Sequence, residues 1–214
     1  MSLEKIASYQ AKNTYHTLNK LTDKTQNIWI VFHGMGYLSR YFIRYFRTLD
    51  AKTNYIIAPQ APSKYYQDST FKHVGASWLT RENRELETDN VLAFVQSVWE
   101  NEIQSAPSCR VFVLGYSQGV SIATRWVAKY KIDCQHLILH SGGIPEELKK
   151  KDFDHLNKDS QTLYLYGDKD PYITEARKTE EQIKGNKLFD NLKIEVFEGK
   201  HEVYPAIFPS LTKL

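Results

Sequence analysis

Apolar residues in this chain fall into short unbroken runs, and the stretches between them carry apolar residues at helical spacing instead. Ile28–Phe32, Asn54–Ala58, Cys109–Leu114, His136–His140, Thr162–Tyr166 and Leu192–Phe197 are five or six residues long. They are rich in β-branched and aromatic side chains, as buried strands are. Tyr37–Leu49 places Leu38, Tyr41, Phe42, Tyr45, Phe46 and Leu49 at helical spacing. Glu85–Glu102 gathers Val91, Phe94, Val95 and Val98 on one face, and from Gln118 to about Lys131 the pairs Ile122/Trp126 and Ala123/Val127 repeat at i, i+4. Thr174–Phe189 reads as a helix with Thr174 as its N-cap. Residues 8–20 carry a poor signal for one or two antiparallel edge strands. Ser105–Ser108 reads as a loop, and Pro205 and Pro209 keep any final helix short or interrupted. Strands alternating with helices predict a mostly parallel sheet with helices on both faces.

One stretch breaks the rhythm. From Ser63 to Arg84 periodicity disappears, yet Tyr65, Tyr66, Phe71 and Trp78 lie within it. Residues 61–84 therefore read as a long irregular connection close to a functional site. Its aromatic residues either wall or cover a pocket or merely pin the loop to the body, and the pattern does not choose between these. No repeat, linker or low-complexity tract interrupts the chain, so residues 1–214 read as one domain without a separate lid.

Composition narrows the partners. The formal net charge of +3 is too small to argue for nucleic acid or for strong attraction to an anionic membrane. Lys149-Lys150-Lys151 is followed by Asp152 and reads as a solvated helix end. The first twelve residues have no apolar signal core, and no run approaches the roughly 20 apolar residues that span a bilayer. A soluble cytoplasmic protein with reduced thiols is expected, without stable membrane insertion, as a monomer or weak homodimer. Cys109 and Cys134 form no C-x-x-C pair or zinc pattern, so both read as small buried hydrophobes and no metal is expected.

The chemistry gathers at the ends of the apolar runs. Gly115-Tyr116-Ser117-Gln118-Gly119 sits between a strand and a helix and has the G-x-S-x-G form of a nucleophile elbow, a turn that thrusts a serine out of the sheet. A neutral serine needs a base, and histidine can take and return a proton near neutral pH. A carboxylate must then hold that imidazole in the right tautomer. The chain order serine, acid, histidine is that of α/β-hydrolases. Of the seven histidines only His201 follows Asp170, which makes Ser117, Asp170 and His201 the proposed triad, with Asp168 a competitor for the acid. His33 and His140 follow buried strands and read as hydrogen-bonding core histidines. For the oxyanion, one backbone N–H is expected from Gln118 at a helix N-terminus and the other from Met35, between Gly34 and Gly36. Tyr37, Trp78 and Tyr116, next to these motifs, are the candidate substrate contacts.

His33-Gly34-Met35-Gly36, the elbow, Gly167-Asp168-Lys169-Asp170 and Gly199-Lys200-His201 together resemble the phospholipase/carboxylesterase family, which includes acyl-protein thioesterases and lysophospholipases. Ala61-Pro62 followed by Ser77-Trp78 looks like that family's connection after its second core strand, and the resemblance runs from about residue 28 to 203. It implies an α/β-hydrolase fold with little lid and hydrolysis of small carboxylic esters or thioesters without a cofactor. Ser117, Asp170 and His201 match its catalytic positions, and Met35 and Gln118 its oxyanion donors. Tyr37 stands where the family usually has an acidic residue, which leaves the acyl pocket's shape open. The expectation is a serine carboxylesterase working through an acyl-enzyme. The alternatives are an acyl thioesterase and a catalytically silent fold that binds a ligand.

Overall fold

A computed structural model describes residues 1–104, 106 and 108–213. Ser105 and Pro107, in the expected loop before the elbow strand, lie outside the described residues. The first half of the chain supplies β1 (Tyr15–Leu18), β2 (Asn27–Phe32), α1 (Ser39–Phe42), β3 (Asn54–Pro59), β4 (Ser63–Tyr66), β5 (Val74–Ser77) and α2 (Arg84–Ile103). The second half supplies β6 (Arg110–Tyr116), α3 (Gln118–Tyr130), β7 (His136–His140), β8 (Gln161–Gly167), α4 (Glu175–Leu188), β9 (Leu192–Phe197) and α5 (Phe208–Leu211). Seven strands form one sheet in the order β1-β3-β2-β6-β7-β8-β9, with only β1 antiparallel to its neighbour. This is an α/β-hydrolase fold.

The period-2 geometry of a strand sends alternate residues to opposite faces, and the core divides accordingly. Ile28, Ile30 and Phe32 of β2 pack with Trp99 of α2 and Trp126 of α3 on one face. Trp29 and Val31 point the other way, into Phe42, Phe46, Phe112 and Phe208. Because both faces are covered, β2, β3 and β7 are buried at every position, and this is why their interiors read as continuous apolar runs. Helix α3 buries its face as its spacing predicts. Helix α4 is capped by Thr174, whose hydroxyl accepts from the Arg177 N–H at 3.3 Å.

Three expectations need correction. Residues 61–84 are not irregular throughout, because β4 and β5 pair as an antiparallel hairpin. Its strands have little apolar alternation, with β4 exposed along its whole length. The apolar stripe after β2 is not one helix: α1 gives way to a 3-10 helix, Ile43–Thr48. Leu38 offers no side-chain cap, and the aromatic residues that follow are modest helix formers, so packing of Phe42 and Phe46 sets the path. Cys109 is half-buried rather than buried, its thiol donating to the Thr25 carbonyl at 3.2 Å.

Trp29 is fully enclosed, stacked 4.4 Å from the Phe112 ring, with its indole N–H donating to Asn54 Oδ1 at 3.1 Å. Trp29→Ala is expected to lower unfolding stability by about 3–5 kcal/mol, read from urea denaturation midpoints. A shift under 1 kcal/mol would show that this face of the core is not close-packed.

Candidate active site

Parallel strands all end at one edge, and beyond that edge the sequence motifs meet. The connection from β2 runs to β3 on one side and that from β6 to β7 on the other, so a crevice opens between the ends of β2 and β6. The loop after β2 and the turn after β6 lie on either side of that crevice.

Ser117 has φ 53° and ψ −118°, a conformation L-residues rarely adopt. Its N–H donates to the His140 carbonyl at 2.7 Å, tying the turn to β7. The elbow glycines are required by neighbouring backbone. A Cβ on Gly115 would lie 2.5 Å from the Gly119 carbonyl oxygen, and one on Gly119 would lie 2.2 Å from that of Phe32.

The Ser117 hydroxyl donates to His201 Nε2 at 2.9 Å, and His201 Nδ1–H donates to Asp170 Oδ2 at 2.7 Å. Asp170 is buried, its other oxygen accepting from the Tyr172 N–H at 2.9 Å. Asp168 is exposed and braces a turn by accepting from the Gly199 N–H at 2.9 Å, so it is Asp170 that faces the imidazole. His201 must reach back from β9 to the end of β6, three strand spacings or about 14 Å. Two hydrogen bonds hold that return. The Tyr116 hydroxyl donates to the His201 carbonyl at 2.9 Å, and the Tyr204 N–H donates to His140 Nε2 at 3.0 Å. Tyr204 also stacks on Phe197 at 4.5 Å.

The loop His33–Gly36 closes the other side. A Cβ on Gly34 would sit 3.1 Å from that of Ser117, so this backbone lies directly against the elbow. Among the described residues the backbone N–H groups of Met35 and Gln118 have no protein acceptor. The β4–β5 hairpin fixes the loop: Gly36 N–H donates to the Ala76 carbonyl at 2.9 Å, and Trp78 Nε1–H to the His33 carbonyl at 2.8 Å. The Gln118 side chain binds the hairpin's return. It accepts from the Trp78 N–H at 2.8 Å and donates to Ser77 Oγ at 3.0 Å and to the Leu79 carbonyl at 2.7 Å. His33 is wholly buried, with Nδ1–H donating to the Gly34 carbonyl at 2.8 Å and Nε2 accepting from the Ala61 N–H at 3.1 Å. Both ring nitrogens are occupied, and neither bonds to Ser117.

Two expected substrate contacts are corrected. Trp78 and Tyr116 are 0% and 1% exposed and offer no surface to a ligand. They lie behind the site, each spending its polar atom on a backbone carbonyl that positions a neighbour. Tyr37 is half-buried, edge-on to Tyr116 at 5.7 Å, with its hydroxyl near that of Tyr45, and burial pushes its pKa up to about 12. Sequence reasoning missed Tyr172, which is exposed and lies edge-on to the His201 ring at 4.7 Å. Its position two residues after Asp170 was the only available signal. Two clefts of about 450 and 480 Å³ lie at the opposite end of β8 and β9, among residues such as Phe153, Leu188 and Lys193, and share no residue with this constellation. Side-chain chemistry and strand topology, more than concavity, mark the candidate site.

The sheet and its flanking helices define an α/β-hydrolase fold, with Ser117, His201 and Asp170 hydrogen-bonded in series at its strand ends. Residues 13–213 match the Phospholipase/Carboxylesterase family model, and the chain belongs to that family. No curated protein matches it by sequence. Solved structures share its fold at low identity. Acyl-protein thioesterase 2 of Zea mays is 16% identical over 91% of this chain and 94% of that one, with a TM-score of 0.66. The Bacillus cereus carboxylesterase is 14% identical over 91% and 89%, with a TM-score of 0.66. The phospholipase/carboxylesterase of Dyadobacter fermentans is 19% identical over 97% and 100%, with a TM-score of 0.65.

Burial pushes His33 and His136 down to about 4 and His140 to about 3. These groups stay neutral in the folded chain but protonate below about 6.5 once unfolded. Their contribution is therefore present above that pH and lost as pH falls toward the folded values. Urea midpoints are expected to drop between pH 7 and pH 5, with a slope of up to about 1.4 kcal/mol per pH unit for each histidine. An unchanged midpoint would show that these histidines are protonated in the fold.

Proposed function

We propose that this protein is a serine carboxylesterase that hydrolyses small esters through an acyl-enzyme. One observation carries the reading: the unbroken chain of hydrogen bonds from Ser117 Oγ through His201 to buried Asp170. The family supplies the class, ester and thioester hydrolysis.

Ser117 Oγ attacks the carbonyl carbon while His201 Nε2 takes its proton. Asp170 keeps the Nδ1–H tautomer and stabilises the imidazolium as it forms. The oxyanion is received by the Met35 and Gln118 N–H groups, the latter at the positive end of α3. His201 then gives its proton to the departing alkoxide, and water activated by the same imidazole releases the acid. A thioester would follow the same path with a thiolate leaving, and the neighbouring fold of the maize thioesterase keeps that second reading open to a substrate panel.

Ser117→Ala is expected to abolish turnover of p-nitrophenyl butyrate and labelling by a fluorophosphonate probe, with circular dichroism unchanged. Full turnover by that variant would overturn the assignment, and a wild-type chain that neither reacts nor labels would favour a silent fold. Tyr116→Phe keeps the ring but loses the bond to the His201 carbonyl. It is expected to lower kcat about fivefold with KM little changed, since one neutral hydrogen bond is worth about 1 kcal/mol. A rise in KM at constant kcat would instead mean that Tyr116 contacts substrate.

A further inference from the structure

The loop that follows β7 runs Ser141-Gly142-Gly143 and passes directly behind the nucleophile. A Cβ on Gly142 would lie 2.1 Å from the Ser117 carbonyl oxygen, so this backbone is in contact with the elbow. At the next residue the space a side chain would fill is taken by another residue. A Cβ on Gly143 would lie 2.3 Å from Arg177 Nη2. The guanidinium therefore rests on the Gly143 backbone, one residue along the chain from the glycine that touches the elbow.

Arg177 belongs to the first turn of α4, which starts directly after the loop that carries Asp170 and Tyr172. Its charge is poorly matched compared with nearby cations. Lys169, Lys178 and Lys184 have carboxylates at 3.2, 2.6 and 2.7 Å. The carboxylate facing Arg177 is Glu181, at 3.6 Å. That carboxylate is buried and already engaged, accepting from the Ile144 N–H at 2.7 Å and facing Lys184 at 3.4 Å. Among the described residues no guanidinium N–H of Arg177 makes a hydrogen bond, and the side chain is 46% exposed. Glu181 and the Gly143 backbone thus hold the guanidinium in place and leave its donor edge to solvent. A planar, permanently charged fork in that state suits a carboxylate or phosphate.

We infer that Arg177 is a specificity-determining residue, forming an anion subsite beside the elbow for an ester that carries a carboxylate or phosphate. The inference rests on the hydrolase reading above and refines its substrate class. Glycine at position 143 is part of the device, because any side chain there would displace the guanidinium.

The test compares kcat/KM of wild type, Arg177→Gln and Arg177→Lys on two pairs of esters. Mono-p-nitrophenyl glutarate against p-nitrophenyl pentanoate puts the carboxylate on the acyl side. The butyryl ester of 4-hydroxybenzoate against phenyl butyrate puts it on the leaving group. In at least one pair Arg177→Gln is expected to lose tenfold to a hundredfold more on the anionic ester than on its neutral partner, the range of a charged hydrogen bond. Arg177→Lys should recover part of that loss, and the difference should shrink in high salt. Equal losses on anionic and neutral esters in both pairs would overturn the subsite while leaving the hydrolase reading intact. If wild type turned over none of the four esters, both would fall together.

Discussion

The structure depends on one strained turn. Ser117 is held at positive φ between β6 and α3, and such a conformation persists only when its surroundings over-determine it. Here they do so from several sides. The helix backbone presses on Gly115, the Phe32 carbonyl on Gly119, and the Ser117 N–H is tied to β7. Because β2, β6 and β7 are adjacent strands of one close-packed sheet, relaxing the serine would mean moving the centre of the fold. The strain is therefore stored where the structure is least able to yield.

Around that fixed point the remaining groups are brought in by polar contacts rather than by apolar packing. The loop carrying Met35 rests on the hairpin through Gly36, and on Trp78 through the His33 carbonyl. The Gln118 side chain clasps the same hairpin, so the two candidate oxyanion donors share one brace. On the other side, Tyr116 and His140 each hold the histidine loop by a single bond. Buried polar groups are costly unless paired, and here each pairing also sets a position. That dual use explains why Trp78, Tyr116, His33 and His140 lie so close to the reacting atoms without facing them.

The rim is built differently from the interior. Tyr172, Met35 and the hairpin residues Tyr66 and Phe71 are exposed, and Arg177, loosely paired with Glu181 at 3.6 Å, brings a half-exposed charge to the same edge. The placing of Ser117, His201 and Asp170 follows from the sheet, whereas the groups around them sit on connections that the sheet leaves free to vary.

The sequence by itself determined the strands of the parallel core, the helix after the elbow, the cap at Thr174 and the positions of Ser117, Asp170 and His201 as candidates. These signals are local: period, β-branching, glycine spacing and chain order. What it could not determine were contacts between segments far apart in the chain. The β4–β5 hairpin lacks the apolar alternation by which a strand is recognised, because much of it faces water. Trp78 and Tyr116 read as ligand contacts because an aromatic residue near a motif has the same sequence signature whether it faces the ligand or the core. The sequence favours Asp170 with Asp168 as a competitor, and only the tertiary structure buries the one against His201 and leaves the other bracing an exposed turn. The return of His201 across three strands, and the placing of Arg177 on the bare backbone of Gly143, were likewise decided by how the strands are ordered in the sheet, which no local pattern encodes.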